Sequence, residues 1–97
     1  MTTFYEQYVN HMLRFYIRNP VCTSKEMPDV TNYLAVMQVF TELSEPEKQT
    51  LTAVYTKNGN LANIIHCHCR QNKIPPKDVW GLVNRVTRRI AEERGLV

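Results

Sequence analysis

Val79, Leu82, Val83, Val86 and Ile90 fall within one narrow arc when the chain is wound at about 100° per residue. That spacing belongs to a helix with a single buried stripe. The helix is expected to start near Pro76 or Lys77 and to run to about Arg94. Opposite the stripe lie Lys77, Gly81, Asn84, Arg85, Arg88 and Glu92. A helix of this kind must dock its apolar side on other elements, so the remaining segments have to supply a matching core.

They read as four more helices. The first is expected over Phe4 to Arg18, where Thr3 and Glu6 form a capping box and Tyr5, Tyr8, Val9, Met12, Leu13 and Tyr16 form the stripe. Asn19-Pro20 ends it, because the residue before proline avoids the α region. Residues 19–28 read as a loop. A second helix is expected from about Asp29 to Leu43, with Val30, Tyr33, Leu34, Met37, Phe40 and Leu43 facing inward. Ser44-Glu45-Pro46-Glu47 is the strongest local signal: Ser44 caps, Pro46 sits where its missing N–H costs nothing, and Glu47 closes a capping box. Leu51, Val54 and Tyr55 carry that third helix toward Lys57, and Asn58-Gly59 stops it. Asn60 caps a fourth helix to about Gln71, with Leu61, Ile64, Ile65 and His68 or Cys69 inside. Nothing reads as a strand. The expectation is an all-α, compact five-helix bundle in one domain, 1–97, made of an N-terminal helical hairpin (1–43) and a three-helix unit (44–97).

The 97 residues suffice for one modest core. No apolar run approaches the length of about 20 residues that spans a bilayer, so no membrane partner is expected. The start, Met-Thr-Thr-Phe-Tyr-Glu, lacks the pattern of a signal peptide. Three cysteines make a poor disulfide framework and suit a reducing, cytoplasmic setting.

Charge is unevenly spread. Residues 1–50 carry four basic and six acidic side chains, and residues 51–97 carry eight basic and three acidic. Much of the excess lies on the fifth helix, which follows another helix after the break Asn72 to Pro76. A basic second helix after a short break is the sequence pattern of a helix-turn-helix DNA reader. Lys and Arg neutralise phosphates, and Arg and Asn fit the donor and acceptor edges of guanine and adenine. Arg70 and Lys73 extend the patch upstream. Gly81 in mid-helix costs about 1 kcal/mol relative to Ala, which close approach of a backbone would rationalise. The same residues also fit a solvated face in which Arg85, Arg88 and Arg89 are balanced by Glu92 and Glu93.

His66-Cys67-His68-Cys69 contains only zinc-ligand types. Consecutive helical residues point about 100° apart, so four in a row cannot close on one ion; only His66 and Cys69 would share a face. Cys22 and His11 are the remaining candidates, at no zinc-finger spacing. No metal or other cofactor is expected, and the reading is one or two buried side chains with Cys as a small hydrophobe. A Cys–His pair lacks an orienting group or an oxyanion hole, so no enzyme activity is expected. Phe4, Tyr5, Tyr8, Phe15 and Tyr16 crowd the first helix, and Phe15 and Ile17 lie off its stripe. Most such residues are core, but aromatic residues also enrich interface centres. A homodimer through this helix, and with it a protein-interaction module that does not bind DNA, is the alternative reading.

From Leu43-Ser44-Glu45-Pro46-Glu47-Lys48 onward the chain resembles the C-terminal, promoter-reading domain (region four) of bacterial RNA polymerase sigma factors. The helix opened there ends near Tyr55 and Gly59, Leu61, Ile64 and Ile65 begin a short helix, and Val79, Val83 and Val86 carry the reading helix. The resemblance implies a sigma-like helix-turn-helix, transcription regulation, double-stranded DNA as partner and RNA polymerase as a candidate partner. Its DNA contacts would fall on Lys77, Asn84, Arg85 and Arg88. Cys67–Pro76 departs from the family, being longer than its turn and carrying Pro75-Pro76 where a Gly-containing corner is common. The whole chain also resembles small proteins of bacterial prophages and conjugative elements, through Phe4-Tyr5, His11-Met12-Leu13-Arg14-Phe15-Tyr16, Ile90-Ala91 and Arg94-Gly95-Leu96-Val97. That match implies a mobile-element setting and no mechanism.

Overall fold

Short local signals set several of the helix ends. In the computed structural model, which describes residues 4–19 and 27–96, the order is α1 (Phe4–Arg18), α2 (Met27–Thr41), α3 (Glu45–Tyr55), α4 (Leu61–Asn72) and α5 (Pro76–Glu93). The described residues contain no strand. At α3 the expected capping box is formed: the Glu47 N–H donates to Ser44 Oγ at 3.3 Å, and the Ser44 N–H donates to Glu47 Oε1 at 3.0 Å. Asn60 Oδ1 accepts from the N–H groups of Ala62 and Asn63 at 2.9 and 3.3 Å, which starts α4. Gly95, at φ 72°, lets the Leu96 N–H reach back to the Ala91 carbonyl at 2.8 Å and closes α5. The capping box expected at Thr3 and the candidate ligand Cys22 lie outside the described residues.

α5 is the hub. It packs against all four other helices, and its whole predicted stripe is buried, joined by Thr87 and Ala91. Val9, Met12, Leu13 and Tyr16 come in from α1, Leu51, Val54 and Tyr55 from α3, and Ile64, Ile65 and Cys69 from α4. Each large aliphatic or aromatic side chain removed from water in this way contributes about 1.5–3 kcal/mol. The three C-terminal helices therefore share one core with the N-terminal pair.

α2 departs from expectation in its limits and in its face. It runs Met27–Thr41, about two residues earlier than expected at each end. Asn32, Ala35, Val36 and Val39 are the buried positions, whereas Leu34, expected inside, is 58% exposed. Val30, Tyr33, Met37, Phe40 and Leu43 are only half buried. Apolar side chains surround most of this helix, so its hydrophobic pattern does not fix its rotation. Its polar residue does. Asn32 Nδ2 donates to the Tyr8 hydroxyl at 3.0 Å, and Asn32 Oδ1 accepts from Arg94 Nε. A buried amide without those partners would be costly, and the contacts tie α1, α2 and the end of α5 together. Tyr8, expected in the α1 stripe, reaches Asn32 from a rim position and stays 42% exposed. Among the described residues no helix is long and apolar enough to cross a membrane.

Candidate nucleic-acid interface

The outer side of α5 divides into two strips. Lys77, Gly81, Asn84 and Arg88 follow one another at intervals of four, three and four residues, which keeps them on one line. All four are exposed, and among the described residues neither Lys77 nor Arg88 has a carboxylate partner. Arg85 and Arg89 lie on the neighbouring strip, and both are engaged. Arg85 pairs with Glu47 Oε2, the same carboxylate that closes the α3 capping box. Arg89 grips Glu42 with a two-pronged contact, Nε to Oε1 at 3.1 Å and Nη2 to Oε2 at 2.8 Å. It also meets Glu93 at 3.0 Å and Glu92 at 3.5 Å.

These pairs leave their mark on the acids. Hydrogen bonding from Arg89 holds the Glu42 carboxyl below its ordinary range, against a smaller opposing effect of desolvation. Glu47 is likewise lowered, first by the Ser44 N–H and then by Arg85. Arg89 is pushed further toward permanent charge by Glu42 and Glu93. A cleft of about 350 Å³ between the end of α2, the start of α3 and α5 is rimmed by these four charges over Val39, Leu43 and Val86. Arg85, expected among the DNA contacts, is exposed but pairs with Glu47 at the surface. The balance expected from Glu92 and Glu93 applies to Arg89 and does not reach Arg88.

Arg70 and Lys73 stand at the end of α4, exposed and without a carboxylate partner among the described residues. α4 continues to Asn72, so the extra length noted between Cys67 and Pro76 is helix. The connection itself is only Lys73-Ile74-Pro75. Lys73 takes the left-handed conformation at φ 57°, ψ 40° that glycine fills more cheaply, and the N–H groups of Lys73 and Ile74 both return to the Cys69 carbonyl. Ile74 packs on the core, and Pro76 opens α5. Gly81 has a helical backbone, and a Cβ built on it meets nothing within 4 Å. Among the described residues no packing need accounts for a glycine there.

His66 and Cys67 are exposed and His68 and Cys69 buried, so two of the four side chains are buried as expected, and His66 and Cys69, three residues apart on α4, differ in exposure. Among the described residues no three His, Cys, Asp or Glu side chains come together as a metal site. The imidazole of His68 lies 3.3 Å from Asn72 Nδ2 through Nδ1, and its buried Nε2 has no hydrogen-bond partner among the described residues. Burial pushes the Tyr55 phenol well above its ordinary pKa, and its hydroxyl donates to Asn10 Oδ1 at 2.7 Å.

A second group of cations was not singled out by the sequence pattern. Arg14 Nη2 donates to the Gly59 carbonyl at 2.7 Å, and Arg18 Nη2 donates to the Lys57 carbonyl at 3.0 Å and to Asn58 Oδ1 at 2.8 Å. The two arginines fit the negative pole of α1 so well that their reach to the α3–α4 turn is invisible locally. One signal for it was present: no Asp or Glu occurs from Lys48 through Lys77. No family model, curated protein or solved structure matches the chain.

Proposed function

We propose that this chain is a non-enzymatic regulator that binds double-stranded DNA, with α4 and α5 as its helix-turn-helix. The observation that carries the reading is the unpaired strip Lys77, Asn84 and Arg88, continued by Arg70 and Lys73. Its charge has no carboxylate to answer it among the described residues, while the other side of the same helix is core. Such a strip suits phosphate contacts from the cations and base-edge contacts from Asn84 and Arg88. The three-residue connection between α4 and α5 supports the reading, because helix-turn-helix pairs are joined by about three or four residues. Arg85 contributes less in this arrangement, since Glu47 competes for it. The regulatory role, a mobile-element setting and RNA polymerase as a further partner rest on the sequence resemblances alone.

The test is an anisotropy titration with labelled duplex DNA at low and moderate salt. Affinity is expected to fall steeply as salt rises, because bound cations displace condensed counterions. No binding at low salt, or binding indifferent to salt, overturns the proposal. One observation favours a second reading. Phe15 is 52% and Leu34 58% exposed, with Tyr8 between core and solvent, so the N-terminal pair offers apolar groups to a protein partner or a second copy. A stable dimer by sedimentation together with absent DNA binding would put that reading first.

A further inference from the structure

We infer that the α3–α4 turn, with Arg14, Arg18 and Lys57, is a second phosphate-binding surface for the backbone of duplex DNA, at the opposite end of α4 from Arg70 and Lys73. The inference rests on the DNA-binding reading and extends it to residues of α1.

Three observations carry it. The first is convergence. Arg14 and Arg18 start on another helix, yet both guanidinium groups are drawn onto the turn by the carbonyls of Gly59 and Lys57 and the Asn58 amide oxygen. These partners are neutral, and among the described residues no carboxylate pairs with Arg14, Arg18 or Lys57. The second is shape. An open groove of about 440 Å³ lies at the turn with Lys57 as its charged residue; much of its lining is apolar, Ile64 included, and Arg14 and Arg18 reach the carbonyls of two of its residues, Gly59 and Lys57. The N-terminus of α4 is not itself the binding element, because the Asn60 side chain already accepts from the Ala62 and Asn63 N–H groups.

The third is spacing. α4 carries no acidic residue; Arg70 stands in its last turn, and Lys57 lies in the turn that precedes its start. Its 12 residues span about 18 Å at about 1.5 Å per residue. A major groove is about 12 Å wide, so a helix of that length can rest each end on one phosphate rim. An isolated phosphate would need only one cluster; a duplex backbone meets both.

Lys57 is the residue to change, because only its backbone serves the Arg18 contact. Lys57→Ala and Lys57→Glu would be titrated against a labelled nonspecific duplex across a salt series, beside wild type and Lys77→Ala/Arg88→Ala, with thermal melts to verify folding. Loss of one phosphate contact should reduce the salt slope by about one unit, equivalent to about tenfold weaker binding near 0.1 M salt. Charge reversal in Lys57→Glu should weaken it further. Arg18→Lys keeps the charge while disturbing the turn contacts, so it should shift the melt more than the slope. If wild-type binding depends on Lys77 and Arg88 but both Lys57 variants leave affinity and slope unchanged, this surface is overturned and the DNA-binding reading stands. If wild type shows no salt-dependent binding, both fall together.

Discussion

Arg85 and Arg88 sit one turn apart on the same helix and carry the same charge, yet they do different things. Arg85, with Arg89, bridges α5 to the start of α3 and the end of α2 through Glu47 and Glu42. Arg88, with Lys77, meets no acid among the described residues. The flank is neutralised and ties elements together, while the outer strip keeps its charge for something outside the molecule. A basic helix face is therefore not one surface. Counting its cations overstates what a polyanion would meet, and the positions of distant carboxylates decide which cations remain.

The comparison depends first on α5 facing the core as described. Ile90 is fully buried and Val86 nearly so. Ile90→Ala should cost about 2–5 kcal/mol of unfolding free energy by denaturant titration, since truncation loses transfer energy and leaves a cavity. A cost near zero would mean that the helix is rotated, and the two strips would lose their meaning.

The sharper test exchanges the strips. Lys77→Ala/Arg88→Ala should lower the salt slope of DNA binding by about two units, or about a hundredfold in affinity near 0.1 M salt. Stability should stay close to wild type, because surface changes usually fall within about 0.5 kcal/mol. Arg85→Ala/Arg89→Ala should do the reverse, lowering the melting temperature with a smaller loss of binding. Equal effects of the two pairs on binding would break the distinction.

Gly81 lies in the outer strip, and a Cβ there meets nothing. Gly81→Ala should therefore stabilise the fold by about 1 kcal/mol, because Ala loses less backbone freedom in a helix. The melting transition reports this directly. If the glycine admits a DNA backbone, the more stable variant should also bind DNA less tightly. Stabilisation with unchanged binding would leave only a helix-propensity defect at this position.

Much of this fold was legible from local chemistry. Ser44, Glu47, Asn60 and Gly95 act within a few residues, and the α5 stripe is regular enough to fix its own rotation; α3, by contrast, ends at Tyr55 with Thr56 as its cap, ahead of the expected stop at Asn58-Gly59. α2 was not legible, because apolar residues cover most of its circumference and its rotation is set by Asn32 reaching Tyr8 and Arg94, far away in sequence. The candidate site divides in the same way. Lys77, Asn84 and Arg88 could be placed on an outer line from spacing alone. That Arg85 would be taken up by Glu47 could not, since Glu47 already had a complete local role as the capping-box acid. Arg14 and Arg18 were hidden for the same reason, each having a sufficient local explanation at the end of α1.

The smallest effect is the pH dependence of the paired flank. Glu42 and Glu47 both titrate below the ordinary carboxylate value near 4.5 in the folded chain. A depressed folded value means that the unfolded chain takes up protons first as pH falls. Their contribution to stability is therefore complete above the ordinary value and is lost as pH drops through the lowered ones. The melting temperature should stay level from neutrality to about pH 5 and decline below it, less steeply in high salt where exposed pairs are screened. The two acids should respond differently to loss of their arginines. Glu42 is lowered chiefly by Arg89, so Arg89→Ala should remove most of its share of the decline. Glu47 is lowered first by the Ser44 N–H, a backbone donor that stays in place when Arg85 is removed, so Arg85→Ala should leave much of its share of the decline. If Arg85→Ala flattens the acid limb as much as Arg89→Ala does, Glu47 belongs to the ion pair rather than to the cap, and Arg85 is held more firmly than the capping geometry implies.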